Sequence, residues 1–227
     1  MNPSTTPRLR VWDLPTRLFH WLLAVCTIAM VVTAKMGGNA MEWHLRLGHV
    51  VLALLVFRVL WGLKGGYWSR FSTFIPSPGR LVRYLKGQGT AADKAGHNPL
   101  GALAVIAMLV ILGVQVGTGL VSDDEIAFAG SLVRHVSGDT IAWATGWHKN
   151  WGQWLVYAIV GLHLVAIVGY SIFKRVHLVP AMLHGDKFDQ PSDLPASRDG
   201  LLTLLSALCF VAASAVIAYW VWTRAAF

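Results

Sequence analysis

Two histidines lie in an almost entirely apolar stretch of the chain, between Trp147 and Phe173. His148 and His163 are 15 residues apart. On an α-helix this spacing is about 22 Å along the axis and roughly 60° around it, so both rings can face one side at two depths. Ionisable side chains inside a bilayer are costly and mark functional sites. The pattern therefore predicts two metal centres at two levels of a membrane, each of which needs a second ligand.

Other apolar runs supply histidines at matching levels. His44 begins the second run, at the surface where His148 begins the fourth. His20 lies near the inner end of the first run, and His163 lies deeper in the fourth, toward that same side. The end of the fourth run can project from the bilayer and bring these two levels together. We therefore pair His44 with His148 and His20 with His163.

His49 is the main competitor of His44. It follows His44 by five residues, which is about 140° further round a helix, and its alternative interpretation is a hydrogen-bonded core histidine. The remaining histidines fall in loops or at helix edges, where we expect solvated side chains. They are His97, His135, His177 and His184.

The ligand type points to haem. Two neutral imidazoles without a nearby carboxylate or thiolate do not make a zinc or di-iron site. They suit the two axial positions of a b-type haem, which needs a wide apolar slot between helices. Gly48 and Gly161 are candidates to open such a slot. Bis-histidine ligation leaves no open position for a substrate, which favours electron transfer.

Arginines are the candidate partners of the haem propionates. Arg58 follows His44 by 14 residues, about 21 Å along a helix, and so lies at the level of the inner centre. Arg10 and Arg17 lie at the same face. An arginine inside a membrane requires an anionic partner, which a propionate supplies. For Arg17 a plain interfacial anchor is an equal alternative.

The elements that must position these residues are membrane helices. The chain of 227 residues is 55% hydrophobic and 13% charged, with five apolar runs long enough to span a bilayer. We predict an all-α transmembrane bundle in one domain, 1–227, with a haem-binding core over 8–187. Residues 188–227 are predicted as a linker, solvated over 189–195, and an extra C-terminal helix. The predicted spans are about 18–34, 43–63, 99–121, 151–173 and 201–222.

Charge sets the expected orientation. Thirteen Lys and Arg residues fall in the N-terminal segment and in loops 64–97 and 174–200, against four in the connections on the other side. The N-terminus is therefore predicted to be cytoplasmic. The outer loop, 122–149, carries four acidic residues. The net charge of +8 fits this excess of Lys and Arg on the cytoplasmic side of the membrane. No cluster of basic residues indicates nucleic-acid binding. The polar first ten residues do not resemble a signal peptide.

Several stretches, taken together, resemble the bacterial cytochrome b561 and nickel–iron hydrogenase b-type cytochrome family. In chain order they are Arg10-x-Trp12-Asp13-x-Pro15-Thr16-Arg17-x2-His20-Trp21, His44-x3-Gly48, Arg58-x2-Trp61-Gly62, Gly96-His97-Asn98-Pro99-Leu100-Gly101, Thr118-Gly119-Leu120, Trp147-His148 and Gly161-Leu162-His163. The resemblance covers about residues 8–187 and implies a four-helix core in a bacterial inner membrane. It also implies two haem b groups, ligated by His20, His44, His148 and His163.

One spacing departs from the family pattern. The two histidines of the fourth helix are 14 residues apart in that pattern and 15 apart here. A wide turn near Gly152 would absorb the extra residue.

Three functions compete. The resemblance favours a protein that carries electrons between the quinone pool and a periplasmic c-type cytochrome or hydrogenase subunit. Ubiquinone is then expected as a bound substrate. The alternative is an enzyme that oxidises superoxide and reduces ubiquinone. A transporter would need midplane carboxylates or broken helices, which the spans lack. His97 and Gln115 are candidates for the quinone site, and homo-oligomer formation stays open.

Overall fold

The computed structural model describes residues 8–188, 190–191 and 193–226. Five long helices dominate it: α1 Leu14–Met36, α2 Ala40–Lys64, α6 Pro99–Leu120, α8 Gln153–Phe173 and α10 Leu201–Trp222. Shorter helices lie between them: α3 Phe71–Phe74, α4 Pro78–Leu85, α5 Ala91–Ala95, α7 Gly138–Gly146 and α9 Leu178–His184. Short 3-10 turns occupy Tyr67–Ser69, Val133–His135 and Thr223–Ala226, and a π-helix occupies Trp147–Gly152. Strands β1 Arg8–Arg10 and β2 Asp186–Phe188 form an antiparallel pair in which Arg8 lies opposite Phe188.

The predicted transmembrane helical fold is confirmed. Five helical segments within the described residues are long and apolar enough to cross a membrane, and each coincides with one predicted span or contains it to within one residue. The predicted start of α6 is also confirmed, because the Asn98 side chain accepts a hydrogen bond from the Gly101 N–H at 2.8 Å and Pro99 is the first helical residue.

The predicted loop 122–149 is wrong beyond residue 137. Ser137 caps α7 by accepting a hydrogen bond from the Thr140 N–H. From there α7, the π-helix and α8 continue as one helical segment of 36 residues, Gly138–Phe173. Asp139, Trp143 and Trp147 therefore lie on a helix, where the sequence pattern suggested a loop.

The chain divides into two compact units. The polar-loop unit comprises the described residues up to Leu18 with Val59–Ile106 and Leu162–Ala207. The cavity unit comprises Phe19–Arg58, Ala107–Gly161 and the described residues from Leu208 onward. The single membrane domain stays a prediction.

The polar-loop unit has a small apolar core and contains the antiparallel pair of strands β1 and β2. Its buried apolar residues are Leu9, Val11, Trp12, Trp68, Ala95 and Ala181. The linker predicted over 189–195 lies partly outside the described residues, at Asp189 and Ser192. Beyond it, the Pro195 carbonyl accepts a hydrogen bond from Trp68 Nε1 at 2.8 Å, and Ser197 N–H donates to the Arg10 carbonyl at 2.7 Å. Residues near 195 are thus anchored to this unit.

The long polar connection between α2 and α6 is held by side chains. Arg80 forms an ion pair with Asp93 at 2.7 Å. Burial by itself would raise the pKa of Asp93, but hydrogen bonds from Thr90 and the Arg80 guanidinium lower it below its ordinary value. The hydroxyls of Tyr84 and Tyr170 lie 3.2 Å apart, and burial with this hydrogen bond raises the pKa of Tyr84 to about 12.

A buried carboxylate joins the start of α1 to the end of α2. Asp13 is fully buried and caps α1 by accepting a hydrogen bond from the Thr16 N–H at 2.8 Å. It also accepts from Trp61 Nε1 at 3.2 Å and from the Ser69 hydroxyl at 3.0 Å. A Cβ at Gly66 would lie 2.0 Å from Asp13 Oδ2, so only glycine allows this approach of the backbone. We call Asp13, Thr16, Trp61 and Ser69 the Asp13 cluster.

The cavity unit is packed around aliphatic side chains. Its buried core consists of Cys26, Val51, Leu55, Leu112, Val116 and Val156. These residues come from α1, α2, α6 and α8, which are the four helices predicted to surround the cofactors.

Candidate metal centre of the cavity unit

Two of the predicted ligands face each other in the cavity unit. The ring centroids of His44 and His148 are 6.0 Å apart, and their planes are inclined by 82°. His44 Nδ1 is hydrogen-bonded to the Met30 carbonyl at 2.9 Å, and His148 Nδ1 to the Gln115 carbonyl at 2.8 Å. Because a carbonyl only accepts, both Nδ1 atoms carry the proton, which leaves each Nε2 with its lone pair.

The separation fits one shared metal ion. Two imidazoles bound to the same metal through Nε2, at about 2.0 Å on each side, have centroids about 6 Å apart. Within the described residues, neither Nε2 takes part in a hydrogen bond. A metal-ligating histidine characteristically donates its other N–H to a carbonyl or carboxylate, as both rings do here. The pair therefore has the donor set and the spacing of bis-histidine ligation, and its donor atoms fit a haem iron.

His49 is held in a different way. Its Nδ1 is hydrogen-bonded to the Leu45 carbonyl at 2.8 Å, and its Nε2 to the Ser131 hydroxyl at 2.6 Å. The ring also packs edge-on against Trp222, with centroids 4.9 Å apart. With both nitrogens engaged, His49 has the environment of the hydrogen-bonded core histidine that was its alternative interpretation.

A cavity of about 600 Å³ lies beside the pair. This volume lies within the range of pockets for small molecules and cofactors. Its walls include His44, His148 and the predicted slot residue Gly48, together with aliphatic residues of α1, α2 and α6. Gly161, the other predicted slot residue, does not line this cavity, and a Cβ there would meet no described atom within 4 Å.

Two glycines other than the predicted slot residues Gly48 and Gly161 allow the helices to approach each other closely at this site. A Cβ at Gly119 would lie 2.7 Å from His148 Cε1, and a Cβ at Gly152 would lie 1.9 Å from Gln115 Oε1. Gly117, on the same helix as Gly119, faces open space. Only the tertiary contact distinguishes Gly119 from its neighbours, although the motif Thr118-Gly119-Leu120 was a sequence signal for the region.

The predicted wide turn is confirmed. A π-helix over Trp147–Gly152 includes His148 and ends at Gly152. A π-turn contains one residue more than an α-turn, and π-bulges are concentrated at functional sites. The turn therefore accommodates the residue by which the His148–His163 spacing exceeds the family pattern.

A tight loop closes one wall of the cavity. An isolated bridge pairs Asp123 with Ala129, and the Gly130 N–H donates to the Ser122 carbonyl at 2.7 Å. Asp124 Oδ1 accepts hydrogen bonds from the backbone N–H groups of residues 126–128. These bonds lower the pKa of Asp124, so this carboxylate remains charged at neutral pH. Ile126, at the tip, is 91% exposed.

The other two predicted ligands belong to different compact units. His20 belongs to α1 within the cavity unit and lies edge-on to Trp21, at 5.1 Å between centroids. His163 belongs to α8 within the polar-loop unit. Their pairing stays a prediction. Arg58, the candidate propionate partner in α2, is 3% exposed.

The other two predicted propionate partners meet carboxylates of this chain. Arg10 forms ion pairs with Asp186, at 2.5 Å, and with Asp199. These contacts raise the pKa of Arg10, above all through the hydrogen bond to Asp186. Arg17 lies 3.6 Å from Asp199 and donates to the Leu183 carbonyl at 2.7 Å. Both arginines join β1 and α1 to residues 183–199, and their role toward a propionate stays a prediction.

The expectation of solvated loop histidines holds for three of four residues. His135, His177 and His184 are exposed. His97 is instead half-buried between Trp12 and Phe74, with ring centroids at 4.6 and 4.9 Å. That prediction was wrong because Trp12 and Phe74, which are distant in sequence, pack against the ring, and the local polar composition does not indicate this contact.

Comparisons with known proteins agree with this site. A family model described as prokaryotic cytochrome b561 matches residues 11–185. A probable Ni/Fe-hydrogenase B-type cytochrome subunit of Bradyrhizobium diazoefficiens is 22% identical, with 80% of this chain and 86% of the relative covered. One of the same description from Azotobacter vinelandii is 26% identical, covering 77% and 86%. A probable Ni/Fe-hydrogenase 1 B-type cytochrome subunit of Escherichia coli K12 is 21% identical, covering 77% and 88%. No solved structure matches significantly.

The family match, the five apolar helices and the histidine pair agree with one another. The chain belongs to the prokaryotic cytochrome b561 family and is a multi-pass bacterial membrane cytochrome that uses haem b for electron transfer.

Proposed function

We propose that this protein carries two haem b groups and passes electrons across the membrane between the quinone pool and a redox protein on the opposite side. The observation that carries the proposal is the facing pair His44 and His148, 6.0 Å apart, with both Nδ1 atoms anchored to backbone carbonyls. Haem b supplies a one-electron Fe(III)/Fe(II) couple when bound.

The protein prepares the His44–His148 site before the cofactor binds. The Met30 and Gln115 carbonyls fix the tautomer and orientation of the two rings, so little reorganisation accompanies ligation. The aliphatic residues of α1, α2 and α6 that line the cavity would give a bound haem apolar contacts. With His44 and His148 as its two ligands, the haem would offer no open position to a substrate, which favours electron transfer.

We place the second haem at His20 and His163. Support comes from the motifs that surround these residues and from the family match over residues 11–185. Arg58 adds a physical reason, because a buried guanidinium within a membrane helix is stabilised by an anionic partner such as a propionate. Arg10 and Arg17 would contribute to the same negative groups in competition with Asp186 and Asp199.

For the redox partner we propose a hydrogenase, since the relatives named above are described as hydrogenase subunits. With the N-terminus cytoplasmic, the loop of residues 122–131 faces the periplasm. Its three consecutive acidic residues and its exposed tip would favour a basic partner surface by electrostatic steering. A c-type cytochrome with a basic face would satisfy the same chemistry. The quinone, ubiquinone in this proposal, would exchange electrons with the other haem.

A haem count on single variants tests the ligands. Purified wild-type protein is expected to give a low-spin b-type spectrum and two haems per chain by pyridine haemochrome. His44→Ala and His148→Ala should each reduce the count to one. His49→Gln is the matched control and should retain two haems, because both ring nitrogens of His49 are already hydrogen-bonded, to Leu45 and to Ser131.

Two further readings complete the test. In proteoliposomes a short-chain ubiquinol should reduce both haems of the wild type, and His44→Ala should leave one reducible haem. Haem loss in His49→Gln with retention in His44→Ala would overturn the ligand assignment. A wild-type protein without haem, expressed with haem supplied, would overturn the function.

A further inference from the structure

Gln115 is bound to His148 at two points. The His148 ring donates through Nδ1 to the Gln115 carbonyl at 2.8 Å. In the opposite direction, Gln115 Nε2 donates to the His148 carbonyl at 3.0 Å. One residue of α6 therefore holds both the backbone and the ring of a proposed iron ligand.

The backbone of His148 needs such a contact because it lies in the π-helix. A π-turn is wider than an α-turn and is rarely formed without a specific cause. Side-chain amides donate to three carbonyls in or next to this turn: Asn150 to Gly146, Gln115 to His148 and Gln153 to Lys149. Asn150 and Gln153 belong to the same helical segment, so Gln115 supplies the one of these three bonds that joins the turn to another helix.

Of the two polar atoms in the Gln115 side chain, Nε2 makes the contact that matters here. Its Oε1 is buried and accepts no hydrogen bond among the described residues. A buried acceptor without a donor costs about 1–3 kcal/mol, so the orientation of this amide is dictated by its donor side. The absence of a side chain at Gly152 makes room for it, since a Cβ there would overlap Gln115 Oε1 at 1.9 Å.

We propose that Gln115 is a positioning residue that holds the π-turn in place and thereby fixes the direction of His148 Nε2 toward His44. This inference rests on the proposed function for the haem itself, but the contact between Gln115 and the turn does not. It assigns to Gln115 a role different from the quinone-site candidacy suggested by the sequence.

The test replaces the amide by a side chain of similar length. In Gln115→Met both amide atoms are lost and the backbone carbonyl that anchors His148 Nδ1 is kept. We expect the affinity for one of the two haems to fall about tenfold to a hundredfold, as is typical for loss of an outer-shell partner. The midpoint potential and the low-spin ferric resonance of that haem should shift, while those of the other haem stay unchanged.

The matched control is Asn150→Leu. Asn150 also donates an amide hydrogen at this turn, but its side chain is exposed and its partner, the Gly146 carbonyl, is not that of a ligand. This variant should leave both haem signals as in the wild type. Equal shifts in the two variants would overturn the proposal, because they would indicate general loosening of the turn.

Hydrogen exchange gives a readout that does not depend on haem. The amides of residues 147–153 should exchange faster in Gln115→Met than in the wild type or in Asn150→Leu. If exchange accelerates but the haem spectra do not change, Gln115 is a structural residue only and the proposal is wrong. If the wild type binds no haem, the proposed function fails, whereas unchanged exchange would refute the contact by itself.

Discussion

The Asp13 cluster and the His44–His148 pair are both polar groups withdrawn from water, and they differ in how completely the protein satisfies them. The Asp13 carboxylate accepts hydrogen bonds from Thr16, Trp61 and Ser69. The two imidazoles are each anchored through Nδ1, and their rings lie 6.0 Å apart at the wall of a cavity. The first arrangement stabilises the fold, and the second leaves two lone pairs available for a metal.

His44 and His49, five residues apart on α2, differ in the same way. His49 engages both nitrogens, with Leu45 and Ser131, whereas His44 engages one. A buried histidine is therefore a ligand candidate when one nitrogen is anchored and the other has no partner from the protein. Burial and residue type are the same in the two cases and do not discriminate between them.

The largest effect should come from the Asp13 cluster. Asp13→Ala removes the common acceptor of three buried donors, two of which, Trp61 Nε1 and the Ser69 hydroxyl, keep a hydrogen bond to the Thr16 hydroxyl. The loss of the helix cap and of a buried acceptor costs about 1–3 kcal/mol for each group left unsatisfied. We expect the Tm of the detergent-solubilised protein to fall by about 10 °C. Circular dichroism in the near ultraviolet would follow this loss. The exposed Asp193→Ala is the control, and an unchanged Tm in Asp13→Ala would contradict the assignment of the cluster as structural.

A smaller and more local effect is expected at the histidine pair. Gly119→Ala places a Cβ 2.7 Å from His148 Cε1, so the ring must move away from its anchor on Gln115. Haem titration should show weaker binding at one site, about tenfold, with little change in Tm. Gly117→Ala gains the same helix propensity but meets open space, and it should bind both haems normally. Equal haem affinities in the two variants would show that the close approach of α6 to His148 is not needed.

The smallest effect is expected at Lys187, whose amino group is partly withdrawn from water. Lys187 donates to the Lys94 carbonyl at 3.0 Å, and desolvation lowers its pKa to about 8 from the ordinary 10.5. Between these values the unfolded chain binds more protons than the folded one, so the stability contribution of Lys187 rises with pH over this window.

Lys187→Met should remove that rise in a series of Tm measurements from pH 7 to 10. The exposed Lys86→Met should preserve it. A Lys187→Met series with the same slope as the wild type would mean that Lys187 is fully hydrated in the folded protein.

The class of this protein follows from its amino-acid sequence alone. Apolar runs of bilayer length can only be membrane helices, because backbone groups in lipid must be paired within the segment. Histidines in such runs, with no carboxylate or thiolate beside them, indicated haem ligands. The departure of one spacing from the family pattern also predicted a wide turn near Gly152, and the structure has a π-helix at Trp147–Gly152.

Which nitrogen of which histidine is available depends on contacts between helices, and the sequence does not reveal it. The sequence could not separate His44 from His49 by chemistry, since the difference lies in the Ser131 hydroxyl, 82 residues away. It could not distinguish Gly119 from Gly117, or connect Gln115 with a turn 33 residues later in the chain. Hydrogen bonds and close contacts of this kind depend on side chains that folding brings together. Local sequence therefore specified the helices and the type of ligand, and packing between helices specified the site.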